Sequence, residues 1–295
     1  MSYHDATLLL IGHGSTVNDD SGATVRQHAA ELRRRGLFAD VREGFFKIEP
    51  RIGAALASVQ TRRVFVVPLF VSEGYFTRQA IPCELGLPAG SQNVMPCVVE
   101  VGGREIRYCN PVGTHPLMTK IILSRAAAVL GAGWGECLLD PAHATGWGGR
   151  PREPVHASTA LVIAGHGTEL NPDSRKSIER QVELIAARKL FAEVHPAFLE
   201  EEPRIAEIPS MIAAPNIVVV PFFMSDGLHV CEDIPVLLGE SEATVQARLQ
   251  AGEWPWRNPT ERNGKRIFYT RGVGSEPGIA DVILERVGEA GKVEG

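Results

Sequence analysis

The chain contains one pattern twice. GHGS at residues 12–15 returns as GHGT at 165–168, an offset of 153 residues (166 − 13). The same offset then aligns LFADV at 37–41 with LFAEV at 190–194, EPRI at 49–52 with 202–205, and VVPLFVSEG at 66–74 with VVPFFMSDG at 219–227. VGTHP at 112–116 aligns with VGSEP at 273–277, where the offset has grown to 161 (273 − 112). Eight extra residues therefore sit in the second half, and the polar, Trp-containing stretch 240–264 is where they are expected. Self-similarity at a fixed offset means that one folding unit is used twice, so any architecture must serve both copies.

Both halves share one grammar. Continuous apolar runs at 7–11 and 160–164 lead into Gly-His-Gly, the pattern of a buried parallel strand that ends in a tight turn. A helix follows, over 23–35 in the first half and from Asp173 or Ser174 in the second, where Ile178, Val182 and Ile185 fall on one face. Short strands end near Phe46 and Leu199, after which Pro50 and Pro203 are expected to open the next helices at their first turns. Third strands at 64–67 and 217–220 and fourth strands at 107–108 and 266–269 lead to last helices at 116–130 and 277–287. This alternation predicts an α/β fold: two tandem domains related by duplication, each a small parallel sheet with helices on both faces. The domains are expected at 1–140 and 157–295, joined by a linker at 141–156 whose Gly- and Pro-rich sequence has no periodicity. In such sheets ligands sit beyond the carboxyl ends of the strands, so chemistry is sought in the residues that follow them.

Composition narrows the classes. With 44% hydrophobic and 22% charged residues, the 295-residue chain matches a globular protein and not a disordered or fibrous one. Thirty Lys and Arg against 35 Asp and Glu leave a net charge of −5, so no broad basic field is available to hold nucleic acid. The longest apolar runs, near 64–71 and 217–224, are too short to span a bilayer. Neither a nucleic acid nor a membrane is expected as a partner. The N-terminus lacks the basic start of a secretory signal, and five widely spaced cysteines without a CxxC suggest no disulfide framework. A cytoplasmic location is the expectation.

The duplication supplies an internal control, because aligned positions have equal structural duties. After the strands, His13 aligns with His166, Lys47 with Glu200, Phe76 with His229 and Gln79 with Glu232. The second half thus gathers His166, Glu200 and His229, while the first keeps only a histidine. Two imidazoles and a carboxylate suit a divalent transition metal, and the same groups can move protons near neutral pH. The GHGT turn also mimics that of the phosphohistidine phosphatases, but Ala164 and Gly165 stand where such a turn needs an arginine.

Taken together, the GHGT turn, FLE at 198–200 ahead of Pro203, and VVVPFFMSDGLHVCEDIP at 218–235 resemble the class II tetrapyrrole chelatases, the cobalt and iron chelatases that act on sirohydrochlorin. The pattern G-x-H-x-x-x-D-I-P is met by Gly227, His229, Asp233, Ile234 and Pro235. The resemblance covers both halves apart from the linker and the insertion. It implies two flavodoxin-like, chelatase-like domains with a tetrapyrrole bound between them. It also implies insertion of Co²⁺ or Fe²⁺, with Ni²⁺ left open, without a nucleotide or a tightly bound organic cofactor, as a step toward cobalamin or siroheme. His166 and His229 would be the two active-site histidines and Glu200 the acidic residue. The complete pair lies in the C-terminal half; Phe76 replaces the second histidine in the N-terminal half, where independent catalysis is not expected.

For that reaction, two histidines and a glutamate form a replaceable ligand set, unlike a closed four-ligand structural site. His166 and His229 are expected to bind the incoming metal and one of them to accept a pyrrole proton, with Glu200 drawing in the cation. Lys47, His13 and Phe76 are the expected substrate-binding residues. Arg78, Arg175 and Arg204 are further candidates for substrate carboxylates, and Tyr75 and Phe223 for packing on the macrocycle. His115 and Cys231 are weaker candidates as accessory ligands. Which histidine is the base, which metal is used, and whether the protein is a monomer or homodimer stay open. So do two other readings: a non-catalytic tetrapyrrole carrier or metallochaperone, and a metal-dependent hydrolase built on the same trio.

Overall fold

The computed structural model of the chain describes residues 2–16, 22–131, 156–168 and 172–293; the expected linker at 141–156 lies outside them except for His156. The first half carries β1 (Tyr3–Gly12), α1 (Ala23–Arg35), β2 (Phe38–Phe45), α2 (Ile52–Ala57), β3 (Arg63–Pro68), α3 (Ile81–Glu84), β4 (Cys97–Val101), β5 (Arg104–Tyr108) and α4 (Met118–Leu130). The second carries β6 (His156–Gly165), α5 (Pro172–Ala186), β7 (Phe191–Phe198), α6 (Ile208–Met211), β8 (Asn216–Pro221), α7 (Ile234–Leu237), α8 (Glu242–Gln250), β9 (Thr260–Arg262), β10 (Lys265–Tyr269) and α9 (Ile279–Gly291).

Two five-stranded sheets result, in the orders β2-β1-β3-β5-β4 and β7-β6-β8-β10-β9. The last seven residues of β1 and of β6 are buried without a break, as a strand covered on both faces requires. Four strands of each sheet run parallel and in matching register, with Thr7 beside Val64 and Ala160 beside Ile217. The fifth, absent from the sequence expectation, is an antiparallel edge strand: β4 on β5 and β9 on β10. Its cause is a two-residue turn. Gly102 and Gly103 have φ of 56° and 77°, and Asn263 and Gly264 have φ of 49° and 72°, the left-handed pair that a tight hairpin needs to match strand twist.

Pro50 and Pro203 do not open the next helices. Their carbonyls accept from the N–H groups of Phe45 and Phe198, each at 2.9 Å, and fold the loop back onto the strand end before α2 begins at Ile52 and a short turn at Ile205–Glu207 leads into α6. After β3 and β8 the chain makes a wide helical turn, Phe76–Ala80 and His229–Asp233, closed by N–H of Ile81 on the Phe76 carbonyl and of Ile234 on the His229 carbonyl. The next residue is Pro82 or Pro235, which has no N–H to give and crowds an ordinary helical turn, so the backbone widens there.

The domain borders differ from the expected 1–140 and 157–295. The compact units are Met1–His115 with Pro277–Gly295, and Pro116–Glu276. His115 and Glu276 are aligned residues, so the two halves exchange their last helices. In the second unit α4 is fixed by Arg125, which donates to the Gly272 carbonyl (3.1 Å) and Ser275 Oγ (2.7 Å) and pairs with Glu276 (3.2 Å). Thr119 Oγ1 adds a buried bond to Gln181 (2.7 Å). In the first unit the aligned Arg286 of α9 donates to the Pro111 carbonyl (3.0 Å) and Thr114 Oγ1 (2.7 Å). Each sheet offers its helix equivalent acceptors, so the apolar pattern of the helix alone does not say which sheet it covers.

The extra residues of the second half fall between α7 and β9, a segment that holds α8 and a loop in which Trp254 and Trp256 pack on Tyr269, with ring centroids 5.9 and 6.0 Å apart. Cys83, Cys97, Cys109 and Cys231 are free, and Cys137 lies outside the described residues. Among the described residues, no helix is long and apolar enough to cross a membrane.

Candidate active site

In the second unit the carboxyl ends of three neighbouring strands converge on one pocket of about 620 Å³, within the usual range for small-molecule sites. His166 follows β6, Glu200 follows β7, and His229 opens the wide turn after β8; all three line it. The loops are locked in place by backbone bonds: N–H of Glu200 donates to the His166 carbonyl at 3.1 Å, and N–H of Leu199 to the same carbonyl at 3.0 Å.

The two imidazoles stand edge to face with ring centroids 5.1 Å apart. His166 Nδ1 lies 2.9 Å from the Gly167 carbonyl, and His229 Nδ1 lies 2.6 Å from Asp233 Oδ2. Both partners only accept, so each Nδ1 bears a hydrogen, and in the neutral ring Nε2 then carries the lone pair for a metal or a proton. Glu200 Oε2 is 3.7 Å from His166 Nδ1, near enough for charge attraction and too far for a hydrogen bond. Among the described residues no three His, Cys, Asp or Glu side chains form a group that could hold a metal ion. His166, His229 and Glu200, expected together as metal ligands, therefore share a pocket but are not arranged as a three-ligand metal group.

The second wall comes from the insertion. Glu242, Val245 and Gln246 of α8 line the pocket, and Gln246 Nε2 donates to Glu232 Oε2 at 2.7 Å. Glu232 and Asp233, which the expected site does not include, also line the pocket. The available signal was the H-x-x-x-D spacing and its joint loss in the first half, where Phe76 and Ala80 occupy the aligned positions.

His13, Lys47 and Phe76 lie in the first unit, at the same three strand ends. His13 Nδ1 donates to the Gly14 carbonyl at 2.6 Å, as its counterpart does. In place of a second imidazole, Phe76 meets its ring edge to face at 4.7 Å and also stacks on Phe70, as part of the unit's apolar core. Burial pulls the His13 pKa below its ordinary value; the Gly14 hydrogen bond opposes this and the Lys47 charge adds to it. Lys47 has no ion pair among the described residues.

Other candidates are already engaged. Arg78 pairs with Glu73, and Arg175 pairs with Glu179 (2.8 Å) and Glu201 (2.9 Å) while lying over the Phe198 ring. The Arg204 side chain donates to the Leu199 carbonyl at 3.4 Å. Phe223 packs against the core beside His229 (5.8 Å), whereas Tyr75 and its aligned counterpart Leu228 are exposed. Burial, with Asp226 adding to it, pushes the Cys231 thiol up to about 11, and its Sγ–H donates to the Asp226 carbonyl. A neutral thiol so held is a poor metal ligand. His115 is buried in the first unit, 3.5 Å from Glu289, and is not among the residues lining the pocket.

Comparison with known proteins places this geometry in context. The CbiX family model matches residues 7–129 and 160–290, once in each half. A probable sirohydrochlorin cobaltochelatase of Halobacterium salinarum is 36% identical over 294 residues, covering 96% of this chain and 91% of that protein. A sirohydrochlorin cobaltochelatase of Methanopyrus kandleri is 33% identical over 138 residues, which is 96% of that protein but 44% of this chain. One half here thus corresponds to nearly the whole of that relative. Among solved structures, DR2241 of Deinococcus radiodurans, described as multi-domain with structural similarity to chelatases, superposes with a TM-score of 0.74 at 29% identity. It covers 98% of this chain, which spans 56% of that longer protein.

Proposed function

The chain belongs to the CbiX family, and from that premise we propose that it inserts a divalent metal, Co²⁺ or Fe²⁺, into sirohydrochlorin without a nucleotide. The observation that carries the reading is the pair of His166 and His229, each with Nδ1 tied back and Nε2 without a hydrogen-bond partner among the described residues, beside Glu200 in one pocket. Metallation exchanges two pyrrolic protons for M²⁺, so the protein must deliver a partly dehydrated cation and accept protons. A free Nε2 lone pair serves either need. Glu200 raises the local concentration of cations and offers a weak oxygen ligand. A set of this kind releases its metal to the four ring nitrogens, which a closed four-ligand site would not.

Sirohydrochlorin carries many carboxylates, and at the matching strand ends of the first unit Lys47, His13 and Phe76 are the residues proposed to bind pigment, Lys47 through a carboxylate. The first half lacks the second imidazole, since Phe76 at the aligned position has neither lone pair nor charge. The names of the curated relatives make Co²⁺ the first metal to test.

The competing reading is a carrier that binds pigment or metal without turnover. Anaerobic absorbance of sirohydrochlorin with Co²⁺, and then with Fe²⁺, separates the two. The wild-type chain should accelerate metallation over the protein-free rate, and the His166→Ala/His229→Ala double variant should not. Tight pigment binding with no acceleration would replace the chelatase reading by the carrier.

A further inference from the structure

We infer that Asp233 is a positioning residue for His229, holding the imidazole in the tautomer that presents Nε2 to the incoming metal. The inference rests on the proposed metal insertion and concerns the same pocket. Asp233 Oδ2 lies 2.6 Å from His229 Nδ1, and both side chains line the pocket. A carboxylate beside Nδ1 fixes the hydrogen there, orients the ring, and makes Nε2 a stronger donor. His166 has only the neutral Gly167 carbonyl in that role, so the two imidazoles are not equivalent.

Two simpler roles for Asp233 fail against the structure. It is not needed to make the wide turn, because the first half builds the same turn with Ala80 in the aligned place and the equivalent closing bond from Ile81 N–H to the Phe76 carbonyl. It is also a poor stabiliser. The His229 and Asp233 side chains are 46% and 50% exposed, and an exposed ion pair contributes little to stability. What distinguishes the second half is that the carboxylate is present where the histidine is present, and both are absent together in the first. A carboxylate retained only alongside its imidazole serves the imidazole.

The test compares wild type with Asp233→Ala and Asp233→Asn. Long-range ¹H–¹⁵N NMR correlations report which ring nitrogen of His229 bears the hydrogen, at a pH where the ring is neutral. Insertion kinetics give kcat and the KM for the metal. Asp233→Ala should move the hydrogen largely to Nε2 and lower kcat/KM for the metal about 10- to 100-fold, the usual cost of losing such a partner. Its melting temperature should stay within about 2 °C of wild type. Asp233→Asn keeps an oxygen that accepts from Nδ1, so it should retain the tautomer and lose less activity. A His229 that keeps its Nδ1 hydrogen in Asp233→Ala overturns the inference, as does unchanged insertion beside an active wild type. A wild type that inserts no metal refutes the functional reading instead, and the tautomer comparison still decides the role of Asp233.

Discussion

Replacing His229 by Phe tests the site with little disturbance of the fold, because the protein already contains the result. Phe76 occupies the aligned position on the same wide turn, and the residues before the two turns have nearly equal backbone angles (φ −48° and ψ −47° at Tyr75, φ −49° and ψ −48° at Leu228). The side chain of His229 is 46% exposed, so its replacement creates no cavity, and the lost bond to Asp233 passes to water. Surface changes of this kind alter stability by about 0.5 kcal/mol or less. In a unit of this size that is a shift of about 2 °C or less in melting temperature. The chemical loss is far larger. A positioned base contributes roughly 10²- to 10⁴-fold, so His229→Phe should slow metal insertion by at least about 100-fold, or about 2.7 kcal/mol of barrier. Calorimetry gives the first quantity and the anaerobic absorbance assay the second. Insertion within tenfold of wild type would remove His229 from the chemistry. A drop of more than about 6 °C would show that the two turns are not equivalent and that the internal control is unsound.

Two further outcomes follow from the packing. Arg286→Ala removes the guanidinium that holds the Pro111 carbonyl and Thr114 Oγ1 from a residue that is only 4% exposed; it should destabilise the protein by about 3 kcal/mol in urea unfolding, and a loss below about 1 kcal/mol would show that α9 needs no such anchor. Glu193 is the acid-sensitive group of β7: burial would raise its pKa, but hydrogen bonds from Ala214 and Ala213 N–H and from His195 outweigh it and hold the carboxyl below its ordinary value. The unfolded chain then binds a proton at higher pH than the folded one, so this stabilisation is complete above the ordinary carboxylate range and lost as pH falls through the depressed value. Glu193→Gln should be less stable at pH 7 yet lose less on acidification, as read from melting temperatures between pH 7 and pH 3.

The parallel strands, and the strand ends that bring His166, Glu200 and His229 to one pocket, are legible because both rest on local pattern. Residues 160–164 are apolar throughout and end in Gly-His-Gly, which fixes a buried strand and the place of His166 at its carboxyl end. The 153-residue offset then located Glu200 and His229 by comparison with Lys47 and Phe76. The edge strands were missed although Gly102-Gly103 and Asn263-Gly264 announce them, since β4 and β9 are short and only partly buried, with little apolar alternation to notice. The helix exchange has no local signal at all. The apolar face of α4 would suit either sheet, and Arg125 and Arg286 find equivalent acceptors at aligned loops.

Duplication leaves its two copies under unequal pressure, and where they diverge separates fold from chemistry. The strands keep equal register, and the loop backbone repeats too, with N–H of Lys47 on the His13 carbonyl at 2.9 Å and N–H of Glu200 on the His166 carbonyl at 3.1 Å. Among the differences between the halves, four fall at the strand ends and the wide turn: Lys to Glu, Phe to His, Gln to Glu and Ala to Asp, reading from the first half to the second. To these the second half adds α8, whose Gln246 holds one of the new carboxylates. Glu200, His229, Glu232 and Asp233 all line one pocket, and all four side chains can bind cations or protons, which is what the proposed reaction asks of the half that performs it.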